Sequence, residues 1–183
     1  SMISSGPRDW SLIARWWQLR SGMAMTADVG EFTTTDTSEL EARMQSLAEL
    51  GRGWINIGPG LSPEDFSKLP PRSAFSKWIS GRGPVVPMAT WTPAAADGKA
   101  TPVQIGISHG TGPNALPRMA EEGLELPAGW VKRQDHAKNG IVAEVPATAT
   151  HAAVVDWLLR AITALSPRVD VGSDWIAETY GAH

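Results

Sequence analysis

Residues 130–145 read WVKRQDHAKNGIVAEV and carry the clearest secondary-structure signal of the chain. Two runs of strand-forming residues, 130–136 and 141–145, flank a connection that ends in Asn139-Gly140. Asn-Gly is the strongest short-range signal for a β-hairpin, because both residues tolerate the positive φ angles of a tight turn. The stretch therefore predicts two antiparallel strands joined by a hairpin turn.

A second pair of strand-like runs precedes this hairpin. Residues 85–92 and 102–108 are rich in β-forming side chains, and the connection 94–100 between them is longer than an ideal turn. Asn114 then predicts the start of a helix that ends at Gly123. The pattern indicates a second hairpin, followed by one short helix.

Two longer amphipathic helices are predicted on either side of the hairpins. The first begins with a capping box of Ser38 and Glu41 and ends at Gly51. The second begins at Thr150 and ends before Pro167. Its apolar stripe consists of Val154, Leu158, Ala161, Ile162 and Leu165. Both helices carry one apolar face to bury.

The order of elements predicts the fold class. A short buried strand is expected at 54–57, and a last strand is expected within 169–180. From residue 85 the order is strand, strand, helix, strand, strand, helix, strand, which favours hairpins over βαβ crossovers. We therefore expect an α+β fold with a mainly antiparallel β-sheet and helices packed on one face.

The N-terminal segment is predicted to be a separate arm. Asp9 caps a helix over residues 10–20 that is apolar around much of its circumference and so needs partners on two sides. We divide the chain into an N-terminal helix and connection, 1–35, and a single α+β domain, 36–183. The arm is a candidate for oligomerisation.

Composition excludes several classes of protein. The 183 residues include 42% hydrophobic side chains, no Cys and a net charge of -3. Disulfides, thiolate nucleophiles and iron–sulfur clusters are therefore excluded, and no uncharged apolar run reaches the roughly 18 residues of a membrane span. The first residues lack the pattern of a secretory signal. We expect a soluble bacterial protein of the cytoplasm, with no membrane partner and no cofactor.

Three segments carry a resemblance to other proteins. They are Trp130–His136, Gly140–Pro146 and Trp157–Ala161. The chain resembles uncharacterised proteins of high-GC actinobacteria over roughly residues 110–180. The resemblance implies no activity and no catalytic residue.

The segment 106–110, GISHG, matches the G-x-S-x-G pattern of a nucleophile elbow. Ser108 would be the nucleophile, with Asp170 or Asp174 as the acid and His183 as the base. The surrounding hairpins differ from the parallel sheet in which such an elbow lies, so we favour an ordinary strand end followed by a turn. A small hydrolase remains the alternative function.

The following loop is a candidate ligand site. Gly110, Thr111, Gly112 and Asn114 precede a helix start, where backbone N–H groups can bind an anion. The loop lacks the Lys of a phosphate-binding P-loop, and an ordinary strand-to-helix connection has the same composition.

His109 and His136 are further catalytic candidates, because both follow strands near this loop. Strand alternation sends Asp135 and His136 to opposite faces, so the two cannot form a dyad within their own strand. The histidines lack the spacing of metal ligands, and we predict no metal site.

The most unusual feature of the composition is the presence of nine Trp residues. Trp91, Trp130 and Trp175 could line a ligand cleft, because indole rings stack on sugars, cations and bases. We favour roles in the core and in a subunit interface. Basic residues between 68 and 82 alternate with aromatic ones at ordinary surface density, so nucleic acid is not an expected partner.

These observations favour a non-enzymatic interaction or ligand-binding module that forms a homo-oligomer. The ligand, whether a protein or a small molecule, is not fixed by the sequence. The alternative is a small hydrolase that uses Ser108 or His109 at the strand–helix turn.

Overall fold

The computed structural model describes residues 27–61, 86–96, 101–167 and 170–181. The helix expected over residues 10–20, and with it the proposed arm, lies outside these ranges. So do the basic segment 68–82 and the C-terminal His183.

The described residues form one open sheet of seven strands with three helices. The strands are β1 (Ala27–Thr33), β2 (Trp54–Pro59), β3 (Met88–Thr92), β4 (Val103–Ser108), β5 (Val131–His136), β6 (Gly140–Val145) and β7 (Asp174–Tyr180). The helices are α1 (Ser38–Leu50), α2 (Ala115–Glu121) and α3 (His151–Ala164). The strand order is β1-β7-β2-β3-β4-β6-β5, and every neighbouring pair is antiparallel. The expected α+β class and both hairpins are confirmed.

One face of the sheet forms the core. Register places Ile55, Trp91, Ile105 and Ala143 side by side across four strands, and all four are buried. The helices supply the other half of the core from their apolar stripes. Their buried side chains are Leu40, Met44 and Leu47 of α1, Ala115, Leu116 and Met119 of α2, and Val154, Val155, Trp157, Leu158, Leu159, Ala161 and Ile162 of α3. The expectation that helices pack on one face is therefore confirmed.

The start of α1 differs from the predicted capping box. Thr37, and not Ser38, is the N-cap residue, and its hydroxyl donates to Oε1 of Glu41 at 2.6 Å. Ser38 is the first helical residue, and Asp36 accepts both its backbone N–H, at 3.2 Å, and its hydroxyl, at 2.6 Å. At α3, Thr150 accepts from the backbone N–H of Ala153 at 3.2 Å, so that cap is confirmed.

The sheet includes part of the segment that the sequence assigned to the arm. All seven residues of β1 pair with β7. Residues 27–33 therefore belong to the folded domain, and any separate arm ends before Ala27. None of the helices in the described ranges is long and apolar enough to cross a membrane.

Leu158→Ala tests the core described above. Leu158 is fully buried, so its truncation should lower the free energy of unfolding by about 2–5 kcal/mol. Leu50→Ala is the matched control, because Leu50 is 41% exposed and should lose less than about 1 kcal/mol. Urea unfolding of both variants measures the difference, and equal losses would contradict the packing of α3 on the sheet.

Candidate functional site

The candidate site is the loop that joins β4 to α2. It contains five residues that the sequence predicts as functional, namely His109, Gly110, Thr111, Gly112 and Asn114. Because β4 is a central strand and α2 packs on the core face, the loop turns from the sheet towards the helical layer.

His109 is fully buried at the start of this loop. Its Nδ1 accepts from the backbone N–H of Thr111 at 3.3 Å and lies 3.0 Å from the Thr111 hydroxyl. An accepting Nδ1 carries no proton, so the neutral ring has its proton on Nε2. Nε2 is buried and has no hydrogen-bond partner among the described residues.

Arg118 of α2 fixes Thr111 from the other side. One guanidinium nitrogen donates to the Thr111 carbonyl oxygen at 2.7 Å, and the other donates to Oγ1 at 2.8 Å. Since Oγ1 accepts from Arg118, its own proton is directed at Nδ1 of His109. The loop therefore places a hydroxyl between an imidazole and a guanidinium.

Burial lowers the pKa of His109 from its usual 6.5. Desolvation is the largest cause, because the charged imidazolium loses its water. The nearby carboxylate of Asp135 opposes this shift, and the positive charge of Arg118 adds to it. The ring is thus neutral at pH 7.

Asp135 of β5 caps α2 from twenty residues further along the chain. Its Oδ1 accepts from the backbone N–H of Ala115 at 3.1 Å, and its Oδ2 accepts from that of Leu116 at 2.9 Å. Asn114, which the sequence predicts as the cap, has a φ of 57° and makes no side-chain cap. Asn114 does stand at the N-cap position before Ala115, as predicted, but the distant carboxylate supplies the side-chain cap.

This cap bears directly on the predicted anion site. The two N–H groups at the start of α2 already bind a carboxylate of the protein itself. An external anion at Gly110, Thr111, Gly112 or Asn114 would have to displace Asp135 from these donors. The two donors at the start of α2 are therefore already used by contacts within the fold.

The three catalytic candidates do not meet. Ser108 follows Ile107, whose side chain is in the core, so alternation directs Ser108 to the opposite face from Ile107 and His109. No hydrogen bond among the described residues joins Ser108 to His109 or to His136. Asp174, a proposed acid, is exposed at the start of β7. The hydrolase stays a prediction.

His136 stabilises the hairpin turn. It is exposed, and its Nδ1 accepts from the backbone N–H groups of Lys138 at 3.1 Å and Asn139 at 3.3 Å. Its neighbour Asp135 bonds to α2 instead. The two adjacent side chains therefore serve separate elements.

Thr111 and His109 resemble a nucleophile and a base, but the pair lacks an essential part. A hydroxyl activated by imidazole needs a third group that accepts from the other ring nitrogen and orients the base. Within the described ranges Nε2 of His109 has no such acceptor, and Asp135 is committed to α2. The arrangement stabilises the loop more readily than it activates Thr111.

The Trp residues proposed for a ligand cleft have separate surroundings. Trp91 and Trp175 are buried in the core, which leaves neither ring a free face for a ligand. Trp91 lies edge-on to His151 at 5.7 Å, and Trp130, which is half-buried, lies against Trp157 at 5.3 Å.

Arg118 and Asp135 are the residues that sequence reasoning missed as parts of this site. Alternation along β5 does place Asp135 on the face opposite to His136, but no local signal connects it to a helix twenty residues earlier. In the part of the chain that the structure describes, no group of three or more His, Asp or Glu side chains could hold a metal ion.

No family model matches this chain, and no curated protein and no solved structure matches it either. The function must therefore be argued from the surfaces of the molecule itself.

The pH dependence of stability tests the buried state of His109. The unfolded chain binds a proton at His109 near pH 6.5, whereas the folded chain resists that proton. The free energy of unfolding should therefore fall as the pH drops from 6.5 towards the lower folded pKa, by at most about 1.4 kcal/mol per pH unit.

His109→Asn should remove this component of the slope as the pH falls through 6.5, because Asn cannot titrate and keeps an acceptor for Thr111. Denaturant unfolding at each pH measures the free energy of unfolding. An unchanged slope in His109→Asn would refute the claim that His109 is buried as a neutral imidazole.

Removal of the distant cap should destabilise the domain. Asp135→Ala leaves the first N–H groups of α2 without an acceptor, at an expected cost of about 2 kcal/mol. Asp156→Ala breaks only an exposed 3.5 Å ion pair with Arg160 on α3 and should cost about 0.5 kcal/mol or less. Chemical denaturation compares the two, and equal effects would mean that Asp135 does not hold α2.

Proposed function

We propose that the protein is a non-enzymatic interaction module that binds a partner strand along the edge strand β1. The observation that carries this proposal is a contrast between the two edges of the sheet. β1 carries two acidic side chains, Asp28 and Glu31, but no Lys, Pro or bulge, whereas β5 has a bulge flanked by Lys132 and Arg133.

β1 is a long and regular edge. All seven of its residues pair with β7 in one continuous register, without a bulge. Its sequence, ADVGEFT, contains no Lys, no Arg and no Pro. Lys, Pro and bulges are the usual devices by which proteins prevent an edge from pairing with another chain. No other strand of the described ranges pairs with the outer side of β1. The backbone N–H and carbonyl of Thr33 are already bonded to those of Asp36, so it is the part of β1 before Thr33 that can accept a further strand.

β5 is a protected edge. A bulge interrupts its pairing with β6 between Lys132 and Gln134. Lys132 and Arg133 are exposed beside this bulge, and Arg133 forms a 2.6 Å ion pair with Glu144. An incoming strand would meet a distorted ladder and two charged side chains there.

The side chains of β1 also favour contact with a partner. Val29 is 59% exposed, more than Val131 at 46% or Leu50 at 41%, the other exposed large hydrophobic residues in the described ranges. Phe32 of the same strand is buried in the core, so Val29, three residues earlier, lies on the opposite face of the sheet from the three helices. A neighbouring strand would cover Val29.

Arg43 of α1 keeps β1 in place before any partner binds. Its guanidinium donates to the carbonyl oxygen of Asp28 at 3.2 Å and to Oγ1 of Thr179 on β7 at 3.3 Å, and it pairs with the Asp28 carboxylate at 3.1 Å. A Cβ atom at Gly30 would lie 2.7 Å from this guanidinium, so a larger residue there would push Arg43 out of these contacts. A braced edge loses little entropy when a strand is added.

Selection from a displayed library of short peptides tests strand addition. We expect enriched peptides with alternating apolar residues, because one face of an added strand would lie beside the exposed side chain of Val29. N-methylation of alternate peptide bonds should weaken binding by about tenfold or more, since strand addition depends on backbone hydrogen bonds.

NMR shift changes on the folded protein locate the bound peptide. Changes that centre on 27–33, with 131–136 unaffected, are expected. Failure to enrich any peptide, binding that tolerates N-methylation, or shift changes confined to β5 would each overturn the proposal.

A further inference from the structure

We infer that the strand bound at β1 belongs to a basic partner peptide, with a Lys or Arg directly opposite Glu31 and an apolar side chain opposite Val29. This inference rests on the strand-addition function proposed above and names the chemical class of the partner. It depends on the charges around the edge, whereas the proposed function depends on the backbone of that edge.

The backbone limits the added strand to the part of β1 before Thr33. Thr33 bonds outward to Asp36, at 3.4 Å through its N–H and at 3.1 Å through its carbonyl, so alternation turns the backbone groups of Val29 and Glu31 outward as well. Their side chains lie on the sheet face opposite to the helices, since Phe32 between Glu31 and Thr33 is in the core. A partner strand therefore places one side chain opposite Val29 and one opposite Glu31 on that face.

Glu31 presents an exposed carboxylate to the added strand. It is exposed, and no hydrogen bond or ion pair joins its side chain to another of the described residues. Glu178 of β7 lies beside Val29 in the register and adds a second carboxylate on the same face. Opposite charges across an antiparallel pair attract and like charges repel. A Lys or Arg opposite Glu31 therefore stabilises the added strand, whereas an acidic residue destabilises it.

The helix side of β1 is acidic as well. Asp28 and Glu39 share the guanidinium of Arg43, at 3.1 Å and 2.7 Å. The side chains of the two acids are 61% and 63% exposed, whereas that of Arg43 is 18% exposed. Two carboxylates against one buried cation leave an excess of negative charge on this side, so a basic residue is favoured on either face of the added strand.

The same charges exclude other strands. Charged side chains normally prevent an edge from pairing, but Asp28 and Glu31, the two charged residues of β1, have the same sign. Such an edge repels an acidic strand and attracts a basic one, so its charges select a partner by repulsion as well as by attraction. The net charge of -3 on the whole chain favours approach of a basic peptide too.

Val29 determines the second position of the partner. Its side chain is 59% exposed, and an apolar residue directly opposite would remove both side chains from water. Because Val29 and Glu31 are two residues apart, the partner carries its apolar and its basic side chain two positions apart. In an antiparallel strand the basic residue comes first.

Two capped synthetic peptides test this pattern. In an antiparallel register TKTVTV places its Lys opposite Glu31 and its first Val opposite Val29, and TETVTV differs only in charge. The wild-type chain at low salt should bind TKTVTV about threefold or more tightly than TETVTV, because an attraction replaces a repulsion. NMR shift titrations measure both dissociation constants, and the difference should shrink at about 0.5 M salt.

A charge exchange tests the assignment to Glu31. Glu31→Lys should abolish or reverse the preference for TKTVTV, because the residue opposite the peptide charge changes sign. Glu121→Lys is the matched control, since it makes the same change at an exposed residue of α2, next to the other edge of the sheet, and should keep the preference. Circular dichroism checks that both variants are folded.

The outcomes separate this inference from the proposed function. Equal binding of the two peptides, or a preference that both variants change to the same extent, would overturn the inference, but shift changes over 27–31 with both peptides would leave strand addition standing. If neither capped peptide binds, the displayed library decides: selected peptides with Lys or Arg two positions from an apolar residue support the inference, and peptides without them overturn it. If no peptide of either kind binds at β1, both proposals fail.

Discussion

Side chains alternate between the two faces of the sheet along each antiparallel strand, and the packing of this protein follows from that alternation. It gives the sheet one apolar face, on which Ile55, Trp91 and Ile105 lie side by side, and the three helices cover that face. The same alternation separates Ser108 from His109 and sends Asp135 towards α2. An open sheet built in this way must also end in two edges, and those two edges differ in how well they are protected.

Local signals in the sequence predict most of the elements. Asn139-Gly140 fixes a hairpin, Thr150 starts α3 and Gly51 ends α1, since each depends only on the backbone conformation of a few consecutive residues. Long-range contacts are what the sequence does not reveal. The insertion of β7 between β1 and β2 brings together strands from both ends of the described chain, and Asp135 supplies the side-chain cap of α2 that Asn114, at the N-cap position, does not make. Neither has a local signature.

At the candidate site, too, local sequence signals were informative and long-range contacts were not. The sequence correctly marks residues 109–114 as an unusual loop, but its glycines and polar residues fit a ligand cradle and a self-contained turn equally well. Contacts decide between them: Arg118 and His109 bind Thr111, and Asp135 binds the helix end, so the donors that could receive a ligand serve the fold. Function is therefore better sought at β1, where the backbone of the described sheet lacks an outer partner strand and the side chains do not prevent one.

Amide hydrogen exchange with and without a selected peptide measures whether β1 accepts a further strand. If it does, the outward-facing amides of Val29 and Glu31 should exchange more slowly when the peptide is bound, while those of 131–136 stay unchanged. No added protection at β1, or protection that develops at β5 instead, would contradict the assignment of β1 as the interacting edge.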